Sequence, residues 1–446
     1  MQSSYQSESY PHYISNMKIG IIGSGGAGTC AAYLLDQHHE VVMLERKDYL
    51  GGNTHTVDVE LDGHQYTIDD GAAWFSPTIY PFFNRYQEMA GIKFDWLPLS
   101  LTYYNKKTDE TTCMPPVELR RIIQMFSKLH VLPQLLALNK VVNGSMKLVE
   151  THNGSITYRE FMKGINLSEA KKEGFLKPLL SGVWGAPHHL IDGFAMYPLM
   201  KYVVYHKPSG LKYFDWKVMT GGTKNYIKTV HDHLKNTTVK SNADVLKVEP
   251  NRESGKVEVT LDEGEKIEFD HVITTSGGKD TKNMIHDSEG MEEARSALAP
   301  FEYYLATLAT HSDPSLMPPN RKDWSVVNVI NKGNHADPTI WHGWKTKADL
   351  FCSYLSPGDE PKNVHHVSKW WLPCETPAFF AAQKELAKVQ GQNNIWFGGD
   401  YTRDIGSHED AIVSAVRAVS KIEPNSERLK EMTSGLEQFV WGDKTH

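Results

Sequence analysis

Cysteine is scarce and scattered: Cys30, Cys113, Cys352 and Cys374 are the only four, and no two of them form a C-x-x-C. That excludes a disulfide framework and predicts reduced thiols, hence a cytoplasmic protein. No apolar run approaches the roughly 20 residues of a membrane span. No basic block is present and the net charge is −7, so nucleic-acid binding has no electrostatic support. There is no Gly-x-Ser-x-Gly elbow, which argues against an α/β-hydrolase. The 21 histidines include no His-x-x-x-His. The pairs His38-His39, His188-His189 and His365-His366 turn neighbouring rings apart on a strand or helix, so no metal is expected. Residues 1–16 are polar, with neither a charged n-region nor an apolar h-region. They are read as a flexible extension rather than a signal peptide.

What is present points to a nucleotide. Hydrophobic residues make up 40% and aromatics 11%, enough for a substantial core, and the length allows two domains. The apolar run 19–22 enters Gly23-x-Gly25-x-x-Gly28, a small-residue helix follows, and a second apolar run ends at Glu45. In the dinucleotide fingerprint Gly23 permits the tight turn, Gly25 lets a pyrophosphate approach the backbone, and Gly28 lets helix and strand pack closely. Gly26 leads into the helix, which Ala27 opens (27–35), and its N-terminus offers N–H groups and a positive dipole end to phosphates. The Glu45 carboxylate stands where it can accept both ribose hydroxyls.

Two styles alternate along the rest of the chain. Runs 57–61 and 65–68 flank Asp62-Gly63, a hairpin signal. Asp69-Asp70-Gly71-Ala72-Ala73-Trp74 closes that block. From about 80 to 213 come helical periods such as 117–129, with many aromatics. After Gly221-Gly222 the α/β style returns, with a helix over 225–234, a strand over 243–249, a hairpin of 257–261 with 266–269, and a buried strand over 271–275. Residues 294–390 read as aromatic and loop-rich, with Tyr303-Tyr304, Trp341-His342-Gly343-Trp344 and Trp370-Trp371. A strand over 394–397, a turn at Gly398-Gly399-Asp400 and a helix over 408–422 end the pattern. The alternation predicts a discontinuous nucleotide-binding domain (17–79, 214–293 and 391–424). A substrate domain is inserted twice (80–213 and 294–390), and 425–446 is a tail. The apolar segment 115–142, with Arg120, Arg121, Lys128 and Lys140, is read as a wall of the substrate domain; contact with a membrane surface is the lesser reading.

In this order the blocks resemble the flavin-containing amine oxidoreductase superfamily, which includes monoamine oxidase, amino-acid oxidases and phytoene desaturases. The resemblance implies an α/β fold: a Rossmann-type FAD-binding domain with an interleaved α+β substrate domain. Glu45-Arg46 with Gly51-Gly52-Asn53-Thr54 is similar to the extended FAD fingerprint. Gly71, Ala72 and Trp74 are similar to the flavin-contacting turn. Val245 falls on a strand expected beside the cofactor. Gly399-Asp400 and Asp410-Ala411-Ile412 resemble the C-terminal motif, where an acid meets the pyrophosphate or ribityl chain and helix amides face the flavin. The side chains of Glu409 and Asp410 are then expected to point away while the amides of 410–412 point in.

A narrower resemblance is to bacterial predicted NAD/FAD-binding proteins. It rests on Gly52-Asn53-Thr54-His55, Thr310-His311-Ser312-Asp313 and Ser407-His408-Glu409-Asp410. The order of helices and aromatics is also similar to the flavin-dependent polyunsaturated fatty-acid isomerases. Asn53 stands where the amine oxidases usually carry arginine, and segment 303–310 lacks their strand lysine. Asp400-Tyr401-Thr402-Arg403-Asp404 lacks their linkage cysteine. The resemblance therefore implies non-covalent FAD and an oxidoreductase that moves hydride from a small apolar or aromatic substrate to flavin N5. A redox-neutral isomerase of a lipid-like substrate and a non-catalytic flavin-binding protein are the alternatives. The catalytic residues, the substrate and the oligomeric state stay open.

Overall fold

The structure, a computed structural model, describes residues 16–115, 118–206 and 214–441. The flexible extension expected for the N-terminus falls, except for Asn16, outside the described residues.

Strand β1 (Lys18–Ile22) reads Lys-Ile-Gly-Ile-Ile and is buried from its second residue on. A strand covered on both faces needs no polar alternation. It is flanked by β2 (Glu40–Leu44) and β13 (His271–Thr274), with β9 (Thr237–Lys240) and β19 (Ile395–Phe397) outside them. The five form a parallel sheet in the order β19-β13-β1-β2-β9. The helix Gly26–Leu35 is buried along its whole length and packs along the helix His408–Ile422.

Strand β9 was not expected. Its sequence is Thr-Thr-Val-Lys, too short and polar to signal a strand. It is set by Asp36, whose carboxylate accepts the N–H groups of Lys235 and Asn236, both at 2.8 Å, and the Thr237 hydroxyl at 2.6 Å.

The expected hairpins are present as β3 (Thr56–Leu61) with β4 (His64–Asp69), and as β10 (Val245–Asn251), β11 (Lys256–Leu261) and β12 (Lys266–Phe269) in one antiparallel sheet. The strands β5 (Phe94–Leu99) and β8 (Phe214–Met219) pair with each other. The largest sheet joins β6 (Leu101–Asn105) and β7 (Glu110–Met114) to β14 (Tyr303–His311), β15 (Val327–Asn331), β16 (Ala336–Trp341), β17 (Phe351–Tyr354) and β18 (Val364–Pro373). Its order is β18-β14-β17-β16-β15-β6-β7.

Segment 294–390 is therefore strand-rich, not loop-rich. On β18 the inward residues His366, Ser368 and Trp370 alternate with outward His365, Val367, Lys369 and Trp371. Both faces mix polar and aromatic residues, which hides the period of two.

Residues 425–441 also differ from the expected tail. They form the helices Glu427–Thr433 and Glu437–Trp441, whose Leu429, Met432 and Val440 join the core around the first helix. The Arg428 guanidinium donates to the Tyr33 carbonyl and the Ser426 hydroxyl to the Leu34 carbonyl, fixing the segment. Among the described residues no helix is long and apolar enough to cross a membrane.

Candidate active site

The glycines at the end of β1 have separable roles. Gly23 has φ +102°, a conformation that side chains rarely adopt. A β-carbon on Gly28 would stand 2.0 Å from the Gly23 carbonyl, so helix and strand touch there. Packing does not explain Gly25: a β-carbon there would meet nothing nearer than the Gly51 carbonyl at 3.8 Å. Gly51 and Gly52 lie opposite, and the Gly51 N–H donates to the Ser24 carbonyl at 3.1 Å. Gly26 faces His408, and Ala27 is buried.

The buried Glu45 carboxylate accepts the Ser24 N–H at 2.9 Å and the Ser24 hydroxyl at 2.6 Å on one oxygen, and the Lys47 N–H at 2.9 Å on the other. It therefore orients the glycine turn. Among the described residues its second oxygen has one lone pair without a partner. Arg46 extends to the surface and pairs with Asp280 at 3.1 Å. The Thr54 hydroxyl and N–H both donate to the Gly51 carbonyl, closing the Gly51-Gly52 turn. The Asn53 carbonyl accepts the Ala72 N–H at 2.6 Å, and a β-carbon on Gly71 would stand 2.0 Å from that carbonyl. The two turns are thus locked together through their backbones. Trp74 is half-buried at the edge of the second core cluster. Val245 opens β10 and is buried, two residues beyond Ala243, whose N–H donates to the Glu45 carbonyl.

The C-terminal motif reaches the same place. A β-carbon on Gly398 would lie 3.2 Å from the Thr275 methyl, and the Thr275 hydroxyl donates to the Gly23 carbonyl at 2.8 Å. The Gly399 N–H donates to the Ser414 hydroxyl at 2.8 Å. Burial pushes the Asp400 carboxyl up to about 6 against the pull of the Tyr401 N–H, and Asp410 adds to the rise.

At the start of His408–Ile422, Ser407 and Asp410 form a capping box: the Asp410 carboxylate accepts the Ser407 N–H and hydroxyl, and the Asp410 N–H donates back to the Ser407 hydroxyl. The Ala411 N–H donates to the Ser407 carbonyl. The amides of Asp410 and Ala411 are therefore engaged within the helix, which corrects the expectation that they face a ligand. Among the described residues the N–H groups left without a protein partner at this helix start are those of His408 and Glu409. The Glu409 carboxylate accepts the N–H groups of Phe82 and Phe83 at 2.9 and 2.8 Å, at the start of the helix Pro81–Ala90. Burial pushes Glu409 up to about 8 despite these donors, and burial alone pulls the His408 imidazole down to about 3.

Beside this motif lies an aromatic wall that the sequence reading located only as a style. Tyr202 stands 5.9 Å from Trp184 and 5.5 Å from Trp216 between ring centroids. The Tyr304 hydroxyl donates to the Trp184 carbonyl at 3.3 Å, and the Tyr80 and Tyr202 hydroxyls are 2.7 Å apart. Three buried polar atoms here have no partner among the described residues: the indole nitrogens of Trp184 and Trp216, and Oε2 of Glu375. Burial, and then Asp404, Asp410 and Asp400, raise the Glu375 carboxyl well above its usual range. The neighbouring Asp404 is held low: burial works against its charge, but Lys201 at 2.6 Å, His152 and Arg403 outweigh it. No signal in the sequence marked Glu375, because it follows β18 without a motif.

A second cluster escaped the sequence reading. His55, Asp70 and His366 each bring a donor atom within 4.8 Å of the others. The His55 ring and the Asp70 carboxylate are 2.5 Å apart, and the Ser368 hydroxyl and Trp370 indole N–H both hold Asp70. The sequence shows His366 only beside His365, because its partners come from other segments.

The model of the flavin-containing amine oxidoreductases matches residues 29–309. No curated protein sequence matches. Among solved structures, the chain resembles a fatty acid isomerase from P. acnes that produces CLA, at 15% identity and TM-score 0.65, covering 91% of this chain and 99% of that one. It also resembles cyclohexylamine oxidase from Brevibacterium oxydans IH-35A, at 14% identity and TM-score 0.65, covering 92% and 100%. A redesigned putrescine oxidase gives 12% identity and TM-score 0.63, covering 92% and 99%. At these identities the likeness is one of fold.

Proposed function

We propose, from the premise that this chain belongs to the flavin-containing amine oxidoreductase family, that it holds FAD without a covalent bond and oxidises a small apolar or aromatic substrate. In this reading segments 17–79, 214–293 and 391–424 hold the cofactor, while 80–213 and 294–390 face the substrate. The observation that carries it is the open space at Gly25. Bare backbone beside the first-turn N–H groups of a helix is what a pyrophosphate needs.

Glu45 offers its open lone pair to a ribose hydroxyl. Asp400 is assigned to the ribityl hydroxyls or the pyrophosphate. The N–H groups of His408 and Glu409 present the positive end of their helix to the flavin ring. All four cysteines are buried and none falls within 398–412, which supports a non-covalent cofactor. Bound FAD would supply the redox chemistry by taking a hydride.

The protein orients the substrate and excludes water. Trp184, Tyr202, Trp216 and Tyr304 give an apolar wall. The two indole N–H groups are donors waiting for a polar group on the substrate, and Glu375, whose carboxyl burial biases toward the protonated form, offers a third polar contact. Strand β14 carries no lysine, and Ala306 pairs with Trp370 there, so no lysine of that strand takes part.

The test is anaerobic mixing of the purified yellow protein with aromatic amines, aliphatic amines, amino acids and unsaturated fatty acids. Lasting loss of the oxidised flavin band with an amine or amino acid is the expected result. Product formed from a fatty acid without lasting bleaching would replace oxidation by redox-neutral isomerisation. No bleaching and no product with any of them would overturn the enzyme reading.

A further inference from the structure

The helix Leu119–Ser127 is turned inside out. Two of its polar residues face the protein: Arg121 is 4% exposed, donates to the Ser325 hydroxyl at 3.0 Å and lies 3.8 Å from Glu118. Gln124 is buried too, and its side-chain oxygen accepts the Cys113 N–H at 3.4 Å. Its apolar residues face outward. Leu119 is 73% and Phe126 71% exposed, and Ile123 lies between them on the same face. Leu129, 93% exposed, carries the apolar strip onto the helix Val131–Glu150, where Leu132 and Leu136 continue it. The opposite face of that second helix is held in the core by Val131, Ala137, Val141 and Val149. Folding in water explains the buried face but not the exposed one, which forms a patch of the kind that marks a contact surface.

Charge identifies what covers it. The chain has a net charge of −7, yet residues 119–149 contain Arg120, Arg121, Lys128, Lys140 and Lys147 and not one Asp or Glu. Arg120, Lys140 and Lys147 are exposed, with Arg120 paired to Glu118 at 2.7 Å; Lys128 is half-buried and Arg121 buried. Apolar side chains flanked by exposed cations, with no exposed acid between 119 and 149, suit the surface of a bilayer that contains anionic lipid: the apolar face enters the headgroup boundary and the cations meet the lipid charges. Neither helix qualifies as a span.

We infer that these two helices dock the protein on an anionic membrane surface, lying in the interface with Phe126 and Leu129 inserted. The inference is independent of the flavin chemistry.

The test is co-sedimentation of the flavin-loaded full chain with vesicles of phosphatidylcholine containing 30% phosphatidylserine, and with vesicles of phosphatidylcholine alone. Binding to the first, at least tenfold stronger than to the second and weakened by 0.5 M salt, is expected. The double substitution Phe126→Ser and Leu129→Ser should reduce binding at least tenfold while flavin content and melting temperature stay unchanged, since both side chains stand in solvent. Arg120→Gln with Lys128→Gln should erase the preference for phosphatidylserine. No binding to the anionic vesicles at low salt would overturn the inference, as would binding that survives loss of Phe126 and Leu129. A concentration-dependent dimer formed without lipid and abolished by the serine pair would overturn it in favour of a second copy as the occupant.

Discussion

A β-carbon on Gly26 would stand 2.4 Å from Cε1 of His408. The starts of two helices, separated by almost the whole chain, therefore meet edge to edge. The His408 ring is enclosed by Phe75, Phe83 and Tyr226, with centroids at 5.0, 4.5 and 5.7 Å. It has nowhere to retreat. Gly26→Ala should cost about 1–3 kcal/mol of stability by overpacking. The pair Gly26→Ala and His408→Ala should be less destabilised than the sum of the two single changes. Urea denaturation of all three variants checks this, and strict additivity would contradict the contact.

Gly25 and Gly28 stand three positions apart in one motif, and alanine should separate their roles. Gly25→Ala meets open space, so the fold should survive with a normal melting temperature while flavin retention falls. Gly28→Ala drives a β-carbon into the Gly23 carbonyl and should destabilise or abolish the folded protein. Melting curves and bound-flavin absorbance read the two effects apart. Full flavin in Gly25→Ala would mean that no pyrophosphate lies against that residue.

Glu45→Gln should weaken flavin retention by roughly 1–3 kcal/mol, because a charged acceptor becomes neutral. It should also loosen the glycine turn, since the same carboxylate holds Ser24 and Lys47. Equilibrium dialysis of the flavin gives the affinity. Equal affinity in variant and parent would remove Glu45 from the site.

The buried Glu409 predicts a pH dependence. Its carboxyl ionises near 4.5 when unfolded and near 8 when folded. Between those values the folded state holds the extra proton, so stability falls as pH rises. His408 acts only below its ordinary 6.5, which leaves the interval above 6.5 to the acids. From pH 6.5 to 8.0 the parent should lose about 2 kcal/mol more than Glu409→Gln. Denaturation at the two pH values checks this, and parallel losses would contradict the assignment.

Much of this was legible in the sequence, for physical reasons that vary by place. The run from Lys18 to Glu45 is legible because an apolar strand, glycine turn and small-residue helix leave little freedom. The helix His408–Ile422 is legible through its cap and apolar face. Strand β9 is not, since its pairing is imposed by Asp36 from another segment. At the C-terminal helix a capping turn at 408–410 is legible, but which residue is the cap is not; with Ser407 as the cap, Asp410 closes the box and the N–H groups left over fall earlier, at His408 and Glu409. Glu375 and His366 carry no local signal: burial isolates one, and contacts with His55 and Asp70 define the other.

In the proposed function the paired glycine turns and the C-terminal helix hold FAD. The most direct measurement is to denature the purified protein by heat, remove the precipitate and identify the released cofactor by mass and absorbance. About one FAD per chain, free in the supernatant, is the predicted result. NAD in its place, or flavin that stays with the precipitate, would contradict the account.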